Sequence, residues 1–343
     1  MKIDLSIIVP SYNEVNFIEK FSIKLNKVFE EVETKFIFVD DGSTDGTKQW
    51  IKENIPKIFC NQKIEIVDLI KNKGKGAAIR QGMLFAEGKY IMLIDSDMEY
   101  DPSDALEMYK IIMKNEFIDV FFGSRYMGGK IQYRIHYFHD LAVRLNTFIF
   151  NFLFGQSITD LHSGTKIFKK EILNNIYLSV NGFGFEIDLS TQMAKNKYKI
   201  YEYGISYFER TKEEGKKITL MDGFLSYYYL FKSRFVDNNI QNTLSMFYAS
   251  GFMVFTASFF GMGTGKYLLM LLFFLLGMFI GTKYKLIPLS NIFLCMYIGS
   301  LFASGNGKIY TVILGFIIGI LNIKLIYKFL KNKSRNYFMD FLI

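Results

Sequence analysis

Acidic side chains are concentrated directly after a short apolar segment. Residues 90–94 are apolar and have the length of a buried strand, and three acids follow on alternate positions, Asp95, Asp97 and Glu99. In open α/β sheets, ligands bind at the carboxyl edge of the strands. Carboxylate oxygens suit Mg²⁺ or Mn²⁺, which commonly bridge to substrate phosphates. The stretch therefore predicts a metal and phosphate site, with a solvated acidic turn as the alternative.

The segments around this stretch alternate between two periodicities. Apolar runs of strand length are followed by acids, glycines or small residues, and stretches with helical spacing separate them; the runs lie at 5–10, 36–39, 64–69, 90–94 and 119–122. This alternation predicts an α/β fold with a parallel, doubly wound sheet. The acids and glycines then gather at one edge, as a nucleotide site requires.

Composition divides the 343-residue chain into two parts. Charged residues lie mostly before Asn239, whereas Leu244 to Leu330 is almost unbroken apolar sequence. This pattern predicts a soluble domain followed by a membrane domain. The net charge of +8 fits anionic lipid head groups, and without a basic-aromatic module we expect no nucleic-acid partner. The two cysteines, Cys60 and Cys295, indicate neither a disulfide nor a zinc site.

The apolar part has room for four membrane spans, at about 244–262, 266–282, 286–304 and 309–329. The second is short, so three crossings are the alternative. The N-terminus lacks the apolar core of a signal peptide, so we expect the soluble domain to be cytoplasmic. Four spans then leave the basic tail inside, together with Lys283 and Lys285, and place only Lys266 and Lys308 outside, as the positive-inside bias favours.

Two aromatic stretches lie between the acids and the apolar part. Residues 136–154 are predicted either to pack in the core or to lie as a helix at a membrane surface. Residues 223–235 combine aromatic side chains with Lys232 and Arg234, which indicates an interfacial helix that leads the chain towards the bilayer.

Seven short motifs occur in a consistent order. As they stand, they are Val-Pro-Ser-Tyr-Asn-Glu at 9–14, Val-Asp-Asp-Gly-Ser at 39–43, Asn-Lys-Gly-Lys-Gly at 72–76, Asp-Ser-Asp at 95–97, Gly-Ser-Arg at 123–125, Asp-x-x-x-Gly at 160–164, and Arg210 with Gly215 and Lys217. In this order the chain resembles the inverting glycosyltransferases of family 2, and among them the polyprenyl-phosphate sugar synthases. The resemblance covers about residues 3–220.

The resemblance implies a fold and a division of the chain. Residues 1–221 would form a GT-A nucleotide-sugar domain, which is an α/β, Rossmann-like fold. An interfacial helix or linker would follow at 222–240, then an all-α transmembrane domain of about four helices at 241–330, and a basic cytoplasmic tail at 331–343.

The resemblance also implies an activity. It is the metal-dependent, inverting transfer of a hexose from a UDP- or GDP-linked sugar to a polyprenyl or dolichyl phosphate, at the cytoplasmic face of a bilayer. Mg²⁺ or Mn²⁺ would be the cofactor, and a homo-oligomer stays open. A processive polysaccharide synthase is disfavoured, because its Gln-x-x-Arg-Trp motif is missing and Trp50 is the single tryptophan. Transfer to another lipid or lipid-linked glycan, and a catalytically inactive lipid-binding protein, remain alternatives.

The resemblance also implies site residues, which are assigned at the positions of the matching motifs. The donor would meet Pro10, Tyr12, Glu14, Asp41, Lys75, Gly76, Asp95 and Ser96. The metal would meet Asp95, Asp97 and Glu99. The acceptor phosphate would meet Arg125, Arg134, His139, Arg144 and Arg210. Within these sets, Asp41 would accept a hydrogen bond from the base, and Lys75 would favour the diphosphate.

Two positions in the acceptor set depart from the family pattern. Relatives often carry arginine at His139 and serine at Val143, so Arg134 or Arg144 would substitute. Asp160 matches the acid that the family treats as the catalytic base. A phosphate monoester, however, has its second pKa near 6 and is mostly dianionic at neutral pH. We therefore expect Asp160 to orient groups more than to abstract a proton.

Overall fold

The computed structural model describes residues 3–211, 213 and 220–236. The four expected spans, the expected tail at 331–343, and Gly215 and Lys217 lie outside these residues, so the predictions made for them stay predictions. By its internal contacts the chain divides into two compact units, Met1–Leu230 and Phe231–Ile343.

The described part of the first unit is built on a seven-stranded sheet, in the order β3-β2-β1-β4-β7-β5-β8, and a two-stranded sheet of β6 and β9. The strands are β1 (Leu5–Ser11), β2 (Thr34–Asp40), β3 (Lys63–Asp68), β4 (Tyr90–Leu93), β5 (Val120–Ser124), β6 (Gln132–Tyr133), β7 (Lys166–Lys169), β8 (Ile200–Gly204) and β9 (Tyr207–Phe208).

Helices lie between most of these strands. Within the described residues they are α1 (Ile18–Val28), α2 (Thr47–Ile58), α3 (Lys75–Met83), α4 (Pro102–Lys114), α5 (Tyr137–Phe154), α6 (Phe185–Lys195) and α7 (Leu220–Phe231). A short 3₁₀ helix spans Lys170–Asn174, and a π-helical turn spans Lys232–Val236. The start of α4 is fixed by Asp101, whose carboxylate accepts the N–H of Ser103, and by Pro102 at the first helical position.

The central strands of the sheet are apolar on both faces, which favours a buried position. β1 and β2 pair in parallel from Leu5 opposite Thr34 to Ser11 opposite Asp40, and their apolar residues are fully buried. Phe59 follows α2 directly, and its ring centre lies 4.5 Å from the ring centre of Phe36. β3 and β4 extend the parallel pairing on either side. The carboxyl ends of four strands therefore meet at one edge, as the alternation predicted.

The expectation of an all-parallel sheet is wrong at β7. This strand runs antiparallel to both of its neighbours, with Phe168 opposite Ile91 of β4 and opposite Val120 of β5. Apolar composition marks a buried strand but carries no information about its direction, which is why the sequence pattern missed the reversal. Because β7 is reversed, the loop before it, with Asp160, lies at the edge where β4 and β5 end.

Helix α5 has a buried face, as core packing of residues 136–154 predicts, and an exposed face, and its predicted place at a membrane surface stays a prediction. One face is buried against the domain through Val143, Asn146, Thr147, Phe150 and Leu153. A second face is apolar and exposed, and we call it the α5 stripe: Tyr137, Phe138, Leu141, Leu145, Phe148 and Phe152. A helix that is apolar on its exposed face marks an interaction surface.

Helix α7 begins at Leu220, two residues before the expected boundary at 222. Its Leu230 is buried, while Leu225 and Tyr228 are exposed. In the part of the chain that the structure describes, no helix has both the length and the apolar character needed to cross a bilayer.

Candidate active site

Residues after β1 and β2 form the first wall of the site. The N–H of Asn13 donates to the hydroxyl of Ser43, and its side-chain oxygen accepts the N–H of Thr44, so the two loops hold each other. Glu14 is buried, and its N–H donates to Thr47. Pro10 and Tyr12 lie in the same stretch, and the carbonyl of Pro10 accepts the hydroxyl of Ser96. The structure thus brings four predicted donor residues, Pro10, Tyr12, Glu14 and Ser96, to one edge.

Asp41 organises the next loop. Its two oxygens accept the N–H groups of Lys73 and Gly74, each at 2.8 Å. Burial raises its pKa, and those two hydrogen bonds oppose the rise. Asp41 therefore holds the loop that carries Lys75, and its predicted contact with a nucleotide base stays a prediction.

Lys75 opens α3 between two carboxylates. Its Nζ lies 2.8 Å from Asp95 and 2.7 Å from Glu186. Burial alone would lower the pKa of Lys75, but the two carboxylates outweigh it and raise the pKa. At the next position, a Cβ on Gly76 would lie 2.8 Å from Cβ of Phe185 and would also meet the carbonyl of Val180. Only glycine allows this close approach, which places Lys75 beside Glu186.

Arg210 lies among three acids. Its Nη1 is 3.0 Å from Glu14, its Nη2 is 3.1 Å from Asp97, and its Nε is 3.7 Å from Glu99. Burial, and then the charges of Glu99 and Asp95, raise the pKa of Asp97 to about 7. The grouping of Glu14, Asp95, Asp97, Glu99 and Glu186 is the acid cluster of this site.

The acid cluster has the negative charge that a divalent cation needs. Its five carboxylates share Lys75 and Arg210, and Lys166 adds one further positive charge near Glu186. Negative charge therefore remains in surplus, which the raised pKa of Asp97 reflects. A cation bound with a diphosphate needs only one or two carboxylates, and Asp97 fits that role.

The predicted three-carboxylate metal site is not preformed. Across residues 3–211, 213 and 220–236, no three His, Cys, Asp or Glu side chains are grouped to hold a metal ion. Asp95 is held by Lys75, while Glu99 accepts the hydroxyl of Tyr207 and the N–H of Arg210. Glu99 therefore links Tyr207 to the backbone of Arg210.

Asp160 and Arg125 form a buried ion pair at the start of the reversed segment. Asp160 is 0% exposed, and its two oxygens lie 2.7 Å from Nε and 2.9 Å from Nη2 of Arg125. Burial alone would raise the pKa of Asp160, but Arg125 outweighs it and lowers the pKa to about 2. A carboxylate with these properties is a weak base and a strong positioning group.

A buried lysine, Lys166, holds the loop that follows Asp160. Lys166 donates to the carbonyls of Leu161 and Ser163, and burial lowers its pKa to about 8. Its ammonium also lies 4.6 Å from the ring centre of Phe122. At the end of the loop, a Cβ on Gly164 would lie 2.7 Å from the carboxyl carbon of Asp95. The Asp-x-x-x-Gly spacing thus packs this loop directly against the acid cluster.

The five predicted acceptor residues contact four different sets of acids. Arg210 lies with the acids, and Arg125 is paired with Asp160. His139 lies 3.7 Å from Glu209, which also contacts His136 at 3.1 Å. Arg134 and Arg144 contact a common carboxylate, Asp140. Acids distant in sequence hold three of the five, and the predicted contact of these residues with an acceptor phosphate stays a prediction.

Sequence reasoning missed Tyr126 and Asp140. The ring of Tyr126 lies 4.1 Å from the guanidinium carbon of Arg134 and 4.4 Å from that of Arg144. Asp140 was detectable, because an acid four residues before an arginine on a helix is a known stabilising pair. Tyr126 carried no comparable signal, since its contact with Arg144 depends on the tertiary fold.

Two clusters of opposite charge thus lie at one sheet edge. Arg125, Arg134 and Arg144 surround Tyr126, and we call these four residues with Asp140 the arginine cluster. The ring of Tyr207 joins the two clusters, since its hydroxyl donates to Glu99 and its face lies 5.1 Å from Arg125.

Comparison with known proteins gives matches over the same region. The sequence model for "Glycosyl transferase family 2" matches residues 6–177. The chain is 29% identical over 240 residues to the dolichyl-phosphate beta-glucosyltransferase of Saccharomyces cerevisiae, covering 64% of this chain and 70% of that protein. It is 27% identical over 238 residues to the protein of the same name from Dictyostelium discoideum, covering 62% and 68%.

Solved structures agree on the fold. Glucosyl-3-phosphoglycerate synthase from Mycobacterium tuberculosis superposes with a TM-score of 0.53 at 17% identity, covering 68% of this chain and 80% of that one. A second structure of that enzyme, at a TM-score of 0.51 and 17% identity, contains Mn²⁺ and uridine diphosphate and covers the same shares of each chain. These likenesses show a GT-A-like α/β fold.

Proposed function

The chain belongs to glycosyl transferase family 2, and from this premise we propose that it transfers glucose from UDP-glucose to a polyprenyl or dolichyl phosphate. That it is a glycosyltransferase follows from the family and from relatives named for the same chemistry. The names of those two relatives support glucose as the sugar and a dolichyl phosphate as the acceptor. GDP-mannose is the competing donor.

The observation that carries the proposal is the pairing of two oppositely charged clusters at one sheet edge. The acid cluster, with Asp97 and Lys75, suits a cation and the diphosphate that it neutralises. The arginine cluster suits the phosphate of an acceptor. Tyr207 joins the two clusters, because its hydroxyl donates to Glu99 and its ring lies against Arg125, so a donor and an anionic acceptor would bind side by side.

The reaction needs little acid–base assistance. An oxygen of the acceptor phosphate attacks the anomeric carbon from the face opposite the nucleotide, and a new carbon–oxygen bond forms. The bond to the nucleoside diphosphate breaks, and its electron pair leaves with the diphosphate. Because the attack comes from the opposite face, the anomeric configuration is inverted. Because the phosphate is mostly dianionic at neutral pH, Asp160 serves to hold Arg125 in place.

A divalent ion, Mg²⁺ or Mn²⁺, would be held by Asp97, with Asp95 nearby. When bound, it supplies Lewis-acid neutralisation of the charge that develops on the leaving diphosphate. Lys75 is a fixed cation at the same place, and Asp95 and Glu186 hold it ready before the donor arrives.

The same proposal includes a bilayer. The residues at 241–330 would form four membrane spans, and the catalytic domain and both termini would lie on the cytoplasmic side. The α5 stripe supports this placement, because exposed aromatic and aliphatic side chains on one helix face suit the boundary of a membrane. An acceptor with a long polyprenyl chain would be met at that boundary.

Radiolabel transfer by the full chain in lipid vesicles tests the proposal. The vesicles contain polyprenyl phosphate or the matching polyprenol, and UDP-glucose and GDP-mannose are compared with Mn²⁺ present. We expect a glucolipid that forms only from the phosphate and releases glucose in mild acid. A product that survives mild acid would place the chain among transferases that act on another lipid or lipid-linked glycan.

A further inference from the structure

Helix α7 packs against the start of α6. Ser226, Tyr229 and Leu230 lie three and four residues apart, so they share one face of α7. Ser226 and Leu230 are buried, and Tyr229 is half-buried. A Cβ on Gly184 would meet Cδ2 and Cε2 of the Tyr229 ring and would lie 3.2 Å from its Cγ. The ring therefore lies directly against the backbone of Gly184.

Gly184 is required for space and not for its backbone conformation. It directly precedes α6, and its φ of −72° and ψ of 0° lie in the right-handed region that other residues adopt. A side chain at this position would instead collide with the ring of Tyr229. Gly184 and Tyr229 belong to none of the donor, metal and acceptor sets implied by the sequence motifs. The glycine therefore admits α7 to the start of α6.

The segment that α7 contacts also holds Lys75. A Cβ on Gly76 would lie 2.8 Å from Cβ of Phe185, the residue after Gly184. The carboxylate of Glu186, one residue further along, lies 2.7 Å from Nζ of Lys75. Two glycine contacts, one at Gly184 and one at Gly76, thus connect α7 to the cation that is predicted to favour the diphosphate.

Hydrogen bonds join this segment to α3 as well. The N–H of Ala77 donates to the carbonyl of Asn181 at 3.1 Å, and Nη1 of Arg80 donates to the carbonyl of Val180 at 2.6 Å. Groups packed this closely leave few voids that could absorb a shift. A displacement of residues 180–186 therefore also displaces the start of α3, where Lys75 lies.

We infer that Tyr229 is a positioning residue of the donor site, which fixes the start of α6 through Gly184 and so holds Glu186 and Lys75 at the donor's diphosphate. This inference rests on the proposed function, which places the diphosphate at Lys75. Because Tyr229 acts through Glu186 and Lys75, its effect falls on the phosphates of the donor and not on the base.

Equilibrium binding to the detergent-solubilised full chain, with Mn²⁺ and without an acceptor, tests this role. UDP is compared with uridine, which keeps the base and the ribose but has no phosphates. Tyr229→Ala should weaken UDP binding by about 10-fold, as expected when a hydrogen bond to a charged group is lost, and should leave uridine binding unchanged. Lys75→Gln should give the same difference between the two ligands. Tyr229→Phe keeps the ring and should retain the native affinity for UDP.

Leu225→Ala is the matched control on α7. Leu225 lies one turn before Tyr229 and is 40% exposed, so its truncation should leave the binding of both UDP and uridine unchanged. Tyr228 is a poorer control, because its ring contacts the ring of Tyr229.

A double variant tests the contact between the ring and the glycine. Gly184→Ala should weaken UDP binding, because its methyl group meets the ring of Tyr229. In the Tyr229→Ala background the same methyl group should have little further effect, because changes at two residues in contact are not additive. Losses that add up in the double variant would contradict the path through Gly184.

Comparison of nucleotides separates this inference from the proposed function. The native chain is titrated with UDP and with GDP. Preference for GDP overturns UDP-glucose as the donor but not the role of Tyr229, and the variants are then compared with GDP and guanosine. Equal losses for the diphosphate and the nucleoside in Tyr229→Ala, or an unchanged affinity for the diphosphate, overturn the role of Tyr229. Binding of neither nucleotide by the native chain overturns both.

Discussion

At the scale of single residues, the carboxylates of the site differ in their charge environment. Asp97 has a raised pKa and surplus negative charge around it, whereas Asp160 has a lowered pKa and a dedicated partner in Arg125. The half-buried Asp97 and the buried Asp160 thus have opposite environments at one edge. Opposite environments commonly mark different roles, and we assign Asp97 to the cation and Asp160 to positioning.

The role of Asp97 leads to a first prediction. Asp97→Asn should lower kcat by about 10²- to 10³-fold, because a preorganised electrostatic group is lost from the leaving-group side. Chelation of divalent ions with EDTA should do the same to the native chain. Glu116→Gln removes the same charge from an exposed side chain and serves as the control. Full activity of the native chain in EDTA would contradict the role of Asp97.

The role of Asp160 leads to a second prediction, about pH. Its folded pKa is about 2 and its ordinary value is 3.8, so the stabilisation from its ion pair is fully present above about pH 4 and is lost as the pH falls through 2. Between pH 5 and 8 its ionisation is constant. Native chain and Asp160→Asn should therefore share the same acidic limb in their pH–rate profiles.

The same substitution should lower stability. Asp160→Asn leaves Arg125 buried without its counter-charge, which costs about 3–5 kcal/mol. Thermal unfolding of the solubilised chain at pH 7 measures this loss, and the rates above are normalised to folded protein. An acidic limb that is present in the native profile and missing from the variant would show that Asp160 acts as a base.

At the scale of elements, β7 matters most for the site. Its reversal brings the loop with Asp160 and Gly164 against Asp95 at the edge where the parallel strands end. If β7 were parallel to its neighbours, the loop would enter it at the opposite edge of the sheet. A single strand direction therefore decides whether donor and acceptor residues meet.

Close packing of α3 gives a third prediction. Gly76→Ala would place a methyl group 2.8 Å from Phe185 and against the carbonyl of Val180. We expect this variant to shift Lys75 away from Glu186 and to raise the KM for UDP-glucose. Gly128→Ala is the control, because nothing lies within 4 Å of its added methyl group. Similar donor kinetics for the two variants would argue against a role for the close approach.

Helix α5 gives a fourth prediction, from two phenylalanines two residues apart. Phe148 is 67% exposed, whereas Phe150 is 0% exposed. Phe150→Ala should destabilise the domain by about 3–5 kcal/mol, as expected for a buried aromatic side chain. Phe148→Ala should leave stability unchanged and raise the KM for a lipid acceptor in vesicles. Chemical unfolding and vesicle kinetics measure the two effects, and loss of stability in Phe148→Ala would contradict the assignment of its face.

Much of the fold was predictable from the sequence, and less of the site. The apolar runs located β1 to β5, and the residues after β1, β2 and β4 met at one edge as expected. The direction of β7 was not predictable, because strand composition is the same in both directions. The partners of Arg210 were not predictable either, since Glu14 lies 196 positions away. The sequence contains many acids, and the tertiary fold decides which of them pair with a given arginine.

At the scale of the whole molecule, the account joins a nucleotide-sugar domain to a membrane. The GT-A-like domain is supported by the family and by solved structures, and the four membrane spans are our proposal. The α5 stripe lies on the same helix as Asp140 and Arg144, which ties the apolar surface to the arginine cluster.

The proposed topology gives a fifth prediction. Four spans with the catalytic domain inside place both termini inside, in agreement with the basic residues at 331–335. Ser334→Cys, in a background with Cys60→Ser and Cys295→Ser, should therefore resist an impermeant maleimide in intact cells and react after permeabilisation. Ready labelling in intact cells would contradict four spans.

Inverting transfer to a lipid phosphate fixes both the linkage and the configuration of the product. The full chain in vesicles is supplied with UDP-glucose and polyprenyl phosphate, and the purified glucolipid is examined by proton, carbon and phosphorus NMR. The account predicts an anomeric carbon that couples to phosphorus and a β configuration, opposite to that of the donor. An anomeric carbon without phosphorus coupling, or a product with the α configuration of the donor, would contradict inverting transfer to a lipid phosphate.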